Sequence, residues 1–240
     1  MVDDTNLKLA RWQRHTREIE HHLLWLHHHR AMWRQMTAAL MLVDKDGVFA
    51  DHYTQLYIAA AAMATRRLAD PTGDRRTVSL ALLLKDVVAN PGTISRAYYI
   101  ARYAHDDDPR EWARSDWLEH GCAEWDESWA DSNGELDIAA IEVDINRLAE
   151  AARKVTELAD RTIAHIDSRG IVDSPTFEDL DHGIDTLGDV FTKYVVLITG
   201  SGLAFLEPAV QSDWQQPFRQ ALFESVGPHR FMPTRSDTAE

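Results

Sequence analysis

Two side chains near the end of one long helical stretch have the types and the spacing for chemistry. Arg161 and His165 lie four positions apart, so on a helix they share a face. An imidazole with a pKa near neutral can take or give a proton. A guanidinium beside it is a permanent positive charge. His165 sits one step off the apolar seam of that stretch, at the edge of the expected core. Arg66 and Arg67, late in an earlier helical stretch, are basic candidates to line the same cleft. Each residue also has a plainer role open to it. Arg161 follows Glu157 by one turn and adjoins Asp160, a setting for a surface ion pair. His165 near a helix C-terminus is favoured as imidazolium by the helix dipole, with Asp160 or Asp167 as partner. Arg66 and Arg67 can be surface charges.

The helices that must position these groups show in the hydrophobic period. Between Asp137 and Gly170, apolar or small residues fall at Ile138, Ile141, Ile145, Leu148, Ala152, Val155, Ala159, Thr162 and Ile166. The steps alternate three and four, which predicts one helix with one apolar face. Asn133-Gly134 marks a turn before it, and Gly170 is the expected left-handed cap after it. A first helix is expected over 5–43, ended by Asp46-Gly47, and a second over 50–69, ended by Asp70-Pro71. A third over 78–89, capped by Thr77 or Asp74, and a fourth over 93–104 follow. Residues 105–136 carry Asp106, Asp107 and Asp108, then Trp112, Trp117, Trp125 and Trp129. They read as a helical excursion broken near Gly121, packing its aromatics on the bundle or on a partner protein. A last long helix over 176–199 is expected to start with Ser174 as cap and Pro175 as its first residue. Strand-like alternation is nearly absent, so the fold class is all-α. The expected organisation is one bundle, 1–205, with 105–136 as an insertion, then a short helix and frayed tail over 206–240.

Composition bounds the function. The chain has 240 residues, 45% of them hydrophobic, enough for one sizeable helical core. Its net charge of −14 argues against coating nucleic acid through phosphate neutralisation, while leaving room for a local basic pocket. The single cysteine, Cys122, rules out an intrachain disulfide and disfavours a cysteine zinc site. No apolar run reaches the length of a membrane span. The charged N-terminus has no secretory core, so a soluble cytoplasmic protein is expected. The first helix carries His15, His21, His22, His27, His28 and His29. Facing pairs seven residues apart are too few for a good metal site, and the reading is a solvated, pH-sensitive polar face. The aspartate run lacks the spacing of a calcium loop.

The order of pieces resembles a known family. Ala61–Asp70, then Thr77-Val78-Ser79-Leu80, then a long helix ending in Ile163-Ala164-His165-Ile166-Asp167, then Pro175–Asp181, is similar to the HEPN superfamily, AbiU abortive-infection type. The resemblance covers roughly residues 10–205. It implies an antiparallel helical bundle, a symmetric homodimer, no cofactor, and RNA as the target of bacterial defence or toxin members. In active members an Arg and a His from two subunits form a metal-independent endoribonuclease site. There the 2′-hydroxyl attacks the adjacent phosphate, Arg offsets the developing charge, and His handles a proton. His165 carries over. The arginine does not align, because the family places four to six residues between it and the His, and only three separate Arg161 from His165. Ala159 stands where relatives put the arginine, and Arg161 is one turn before His165. Asp167 replaces the tyrosine that some toxins use for AMP transfer. The resemblance therefore leaves two functions open: an RNA-cleaving enzyme using Arg161 and His165, or a non-catalytic binding and assembly module.

Overall fold

The computed structural model describes residues 2–44, 46–73, 76–103, 111–164, 173–202, 206 and 214–216. Their helices are α1 (Val2–Val43), α2 (Val48–Ala69), α3 (Leu80–Ala89), α4 (Arg96–Ala101), α5 (Glu111–Ser128), α6 (Ile138–Leu158) and α7 (Phe177–Thr199). A 3₁₀ turn (Pro91–Thr93) follows α3, and a π-turn (Ala159–Ile163) extends α6. One isolated antiparallel bridge, Ala130 with Leu136, closes the turn before α6. The described fold is all-α, as the periodicity predicts. Residues 1–207 form one compact unit and 208–240 a second. Of the second unit, a tight turn at 214–216 is described.

Side-chain registers show how the helices run. Trp33 meets Tyr57 and donates to Thr54 across α1 and α2. Gln13 reaches Ile198, Arg30 reaches Asp185, and Arg34 reaches Asp181 across α1 and α7. Asp144 meets Tyr194, Arg147 meets Asp189, and Lys154 meets Asp179 across α6 and α7. Across α1 and α7 and across α6 and α7 one number rises while the other falls, and Trp33 with Tyr57 and His22 with Arg67 do the same across α1 and α2, so these helices are antiparallel. α1, 42 residues long, spans about 63 Å at 1.5 Å per residue. It lies against α2, α3 and α7. The core is aliphatic and aromatic, with Trp12, Ile19, Leu23 and Leu26 of α1 fully buried beside Leu84, Ile184 and Leu197.

Local chemistry sets the helix ends. Asp137 caps α6, its carboxylate accepting from the Ala140 N–H at 2.9 Å. α3 is capped by Ser79, whose hydroxyl accepts from the Leu82 N–H, instead of Thr77 or Asp74. α7 starts later than expected. Its cap is Thr176, not Ser174, because Thr176 and Asp179 satisfy each other's backbone N–H groups in a capping box. Pro175 therefore stands before the helix. Gly200 ends α7 with φ 74°, a left-handed conformation that suits glycine.

The tryptophan-rich segment differs from its reading in one respect. Gly121 does not break it; α5 runs through. The glycine is there because a Cβ would sit 2.7 Å from the Tyr103 ring. Trp125 and Trp129 pack inward around Tyr99, and their indoles donate to the Gly134 carbonyl and the Tyr99 hydroxyl. Trp117 stays 45% exposed; the Trp112 side chain lies outside the described residues. The fourth helix is shorter than expected, because Ser95 caps it after the 3₁₀ turn.

Candidate functional site

The apolar seam of α6 runs as expected through Ile141, Ile145, Leu148, Ala152, Val155 and Ala159. An unbroken α-helix would next bury Thr162. Thr162 is exposed, and Ile163 packs against the core in its place. The cause is the π-turn. The Ala164 N–H donates to the Ala159 carbonyl at 2.8 Å, a bond five residues long. One extra residue in the turn rotates the next side chains about the helix axis. Arg161 lies inside this turn and pairs with Glu157 at 2.7 Å. His165 and Gly170, with Ile166 and Asp167, lie outside the described residues.

Arg66 and Arg67 leave the last turn of α2 in different directions. Arg66 donates to Asp160, the neighbour of Arg161 in the π-turn. This ion pair ties the end of α2 to the end of α6. Arg67 lies on the α1 side, close enough to His22 to lower its pKa. Both arginines line a groove of about 590 Å³ between α1, α2 and the segment before α3. Arg14, Arg76, His15 and His22 complete its basic lining, while Glu18 and Asp70 supply opposite charge. On α1, positions 15, 18 and 22 recur at steps of three and four, which puts them on one face.

Burial, then the neighbouring Arg11 and Arg14, depress the His15 pKa. Burial, then Arg67 and His21, do the same to His22. Both imidazoles are therefore held toward the neutral form, where they can accept or donate one hydrogen bond. The other histidines divide. His27, expected on a solvated face, is buried and meets the Arg30 guanidinium at 3.2 Å. Arg30 in turn pairs with Asp185 at 2.6 Å. His29 stacks on Trp25 at 3.9 Å. Among the described residues no three His, Cys, Asp or Glu side chains come together as metal ligands. No described helix is long and apolar enough to cross a membrane.

The groove's other contributors, Arg14, Arg76 and Trp25 nearby, are absent from the sequence reading. Their signal is weak in one dimension: Arg14 and Trp25 belong to the same polar stripe of α1 as the histidines, and only packing against α2 brings them to Arg67.

The described fold is thus an antiparallel all-α bundle whose charged groove lies on its first two helices, beside the end of α6. A family model described as AbiU2, of the HEPN class, matches residues 9–216. The chain belongs to the AbiU2 family of HEPN proteins. No curated protein and no solved structure matches it.

Proposed function

We propose that the chain is a bacterial defence or toxin protein that acts on RNA as a metal-independent endoribonuclease, with its site shared between two copies. Membership of the AbiU2 family over residues 9–216 carries this reading. His165 moves the proton of the attacking 2′-hydroxyl. The 2′-oxygen then bonds to phosphorus as the P–O5′ bond breaks, leaving a 2′,3′-cyclic phosphate and a 5′-oxygen that takes up the proton to become a hydroxyl. Arg161 offsets the charge that develops on the phosphate oxygens. Arg66 and Arg67 guide the strand; the Arg66–Asp160 pair in the α2 to α6 contact supports placing Arg66 near Arg161, while Arg67 extends the basic surface toward α1.

The test is cleavage of single-stranded RNA by the purified full chain in the presence of a chelator, beside His165→Ala and Arg161→Ala. Loss in both variants is the expected result. The Arg161–Glu157 pair is partly exposed and is worth about 0–1 kcal/mol, so Arg161→Ala should keep its fold. Cleavage that persists in His165→Ala would overturn the site.

A second reading, a non-catalytic binding module, draws on a specific observation. Arg161 and Arg66 are both engaged by carboxylates, Glu157 and Asp160. Outward apolar residues support a protein contact in that case: Trp117 and Leu118 on α5, and Met41, Leu42, Val48 and Phe49 where α1 gives way to α2. Absence of cleavage by the parent protein would favour this reading.

A further inference from the structure

The basic groove continues through His22, Arg67 and Val78 into a second depression of about 300 Å³. The two parts differ in character. The groove is lined by four arginines, Arg14, Arg66, Arg67 and Arg76, against Glu18 and Asp70. In a chain of net charge −14 this is a local inversion of sign. Arg66 is already held by Asp160. Arg14 and Arg67 have no carboxylate partner among the described residues.

The second depression is a slot with mixed walls, polar at His21, His22 and Arg67 and apolar elsewhere. Trp25 forms one side, and Met63, Leu68 and Val78 form much of the rest. Ala60 and Ala64 leave room on the α2 side. The indole is braced from one direction by His29. Volumes of about 300–1,000 Å³ with apolar walls and a few placed polar groups are typical of small-molecule sites. His22 stands where slot and groove meet. Its depressed pKa keeps it able to accept or donate a single hydrogen bond there.

A ligand that matches this surface has a flat aromatic body joined to a polyanion. We propose that the α1–α2 surface is a nucleoside-phosphate site, with the base in the slot beside Trp25 and the phosphates against Arg14 and Arg67. The phosphates belong either to a free nucleoside triphosphate or to one nucleotide of a single RNA strand. The site needs no turnover at Arg161 or His165. Its failure and the failure of the ribonuclease reading are therefore seen in different assays.

The experiment is calorimetric titration of the full chain with ATP, with inorganic tripolyphosphate, and with a short single-stranded oligoadenylate, at one fixed ionic strength. Arg14→Ala and Arg67→Ala should each weaken the binding of ATP or oligoadenylate about tenfold, the loss expected for a hydrogen bond to a charged group. Trp25→Ala should weaken the same ligands about fivefold or more, the loss expected when a base no longer stacks. It should leave tripolyphosphate binding unchanged. Ala64→Leu, which fills the slot without removing a charge, is the second variant and should behave like Trp25→Ala. Thermal melts establish that each variant is folded. ATP binding without oligoadenylate binding identifies a free nucleotide as the ligand, and the reverse identifies an RNA strand. Three results would overturn the site: no binding of either nucleotide ligand at millimolar concentration, tripolyphosphate binding as tightly as ATP, or folded slot variants that bind like the parent.

Discussion

Asp144 is a carboxylate on the buried face of α6, and removing it should destabilise the protein through its partner more than through itself. Its Oδ2 accepts from the Tyr194 hydroxyl at 2.8 Å and from Lys193 Nζ at 2.7 Å. Tyr194 is 1% exposed, and burial, then the hydrogen bond to Asp144, push its pKa upward. The phenol therefore stays protonated and needs an acceptor. Lys193 is 40% exposed along its side chain and can turn to water. Asp144→Ala leaves the phenol hydroxyl buried without a partner, which costs about 1–3 kcal/mol. The lost lysine contact adds less than about 1 kcal/mol. A total of about 2–3 kcal/mol lowers the Tm of a chain this size by roughly 4–12 °C. Asp144→Asn keeps an acceptor oxygen and should lose less. In the double variant Asp144→Ala/Tyr194→Phe the orphaned hydroxyl is gone, so the loss should fall short of the sum of the singles by about 1 kcal/mol or more. Denaturant unfolding of the four proteins measures this. Equal losses for Asp144→Ala and Asp144→Asn, or strict additivity in the double variant, would refute the reasoning.

Gly121→Ala gains about 1 kcal/mol of helix propensity, but its Cβ meets the Tyr103 ring at 2.7 Å. That ring is held by Glu124 and His120, so overpacking at about 1–3 kcal/mol should win; a raised Tm would contradict it. Thr176→Ala removes the α7 capping box and should cost about 1 kcal/mol in denaturant unfolding, whereas Ser174→Ala should be near neutral. His15 and His22 have folded pKa values below the ordinary 6.5. Above 6.5 both states leave the ring neutral, and below it the unfolded chain binds protons first. Stability should therefore fall as pH drops from about 7 toward about 5, with a shallower slope in His22→Gln; an unchanged slope would remove His22 from the account.

The long helices are legible in the sequence because their cores obey a period. The alternation of three and four in α6 runs unbroken from Ile141 to Ala159, and the inward side of α7 is readable from Leu180 to Ile198 for the same reason. Two local signals point the wrong way. Ser174-Pro175 is a good start signal, yet Thr176 with Asp179 is a reciprocal one and prevails. Gly121 is a breaker by propensity, but it marks a close approach of Tyr103, which depends on tertiary packing. The candidate site is legible only in part. Arg66, Arg67 and Arg161 stand out by residue type, but their partners Asp160 and Glu157 depend on helix ends meeting. Asp144 sits among apolar neighbours with its partner Tyr194 fifty positions later, a pairing no local pattern encodes. Arg14 and Trp25 join Arg67 through the facing of two helices, which residue types alone do not state.

The π-turn at Ala159–Ile163 separates counting residues from counting turns. A motif defined by the number of positions between an arginine and a histidine assumes a constant angle per residue. Here the helix absorbs one position as a loop in its own wall, while the hydrophobic seam re-forms at Ile163. Among relatives, a single-residue deletion within this turn would close it to an ordinary helical turn and leave the buried residues on either side in phase. A relative whose spacing across this turn is one residue shorter can then hold the same arrangement in space, whereas the longer spacing of the family motif is not accounted for by the turn. Alignments of AbiU2 chains should therefore be anchored on the seam residues and allowed a one-residue gap between Val155 and Ile163.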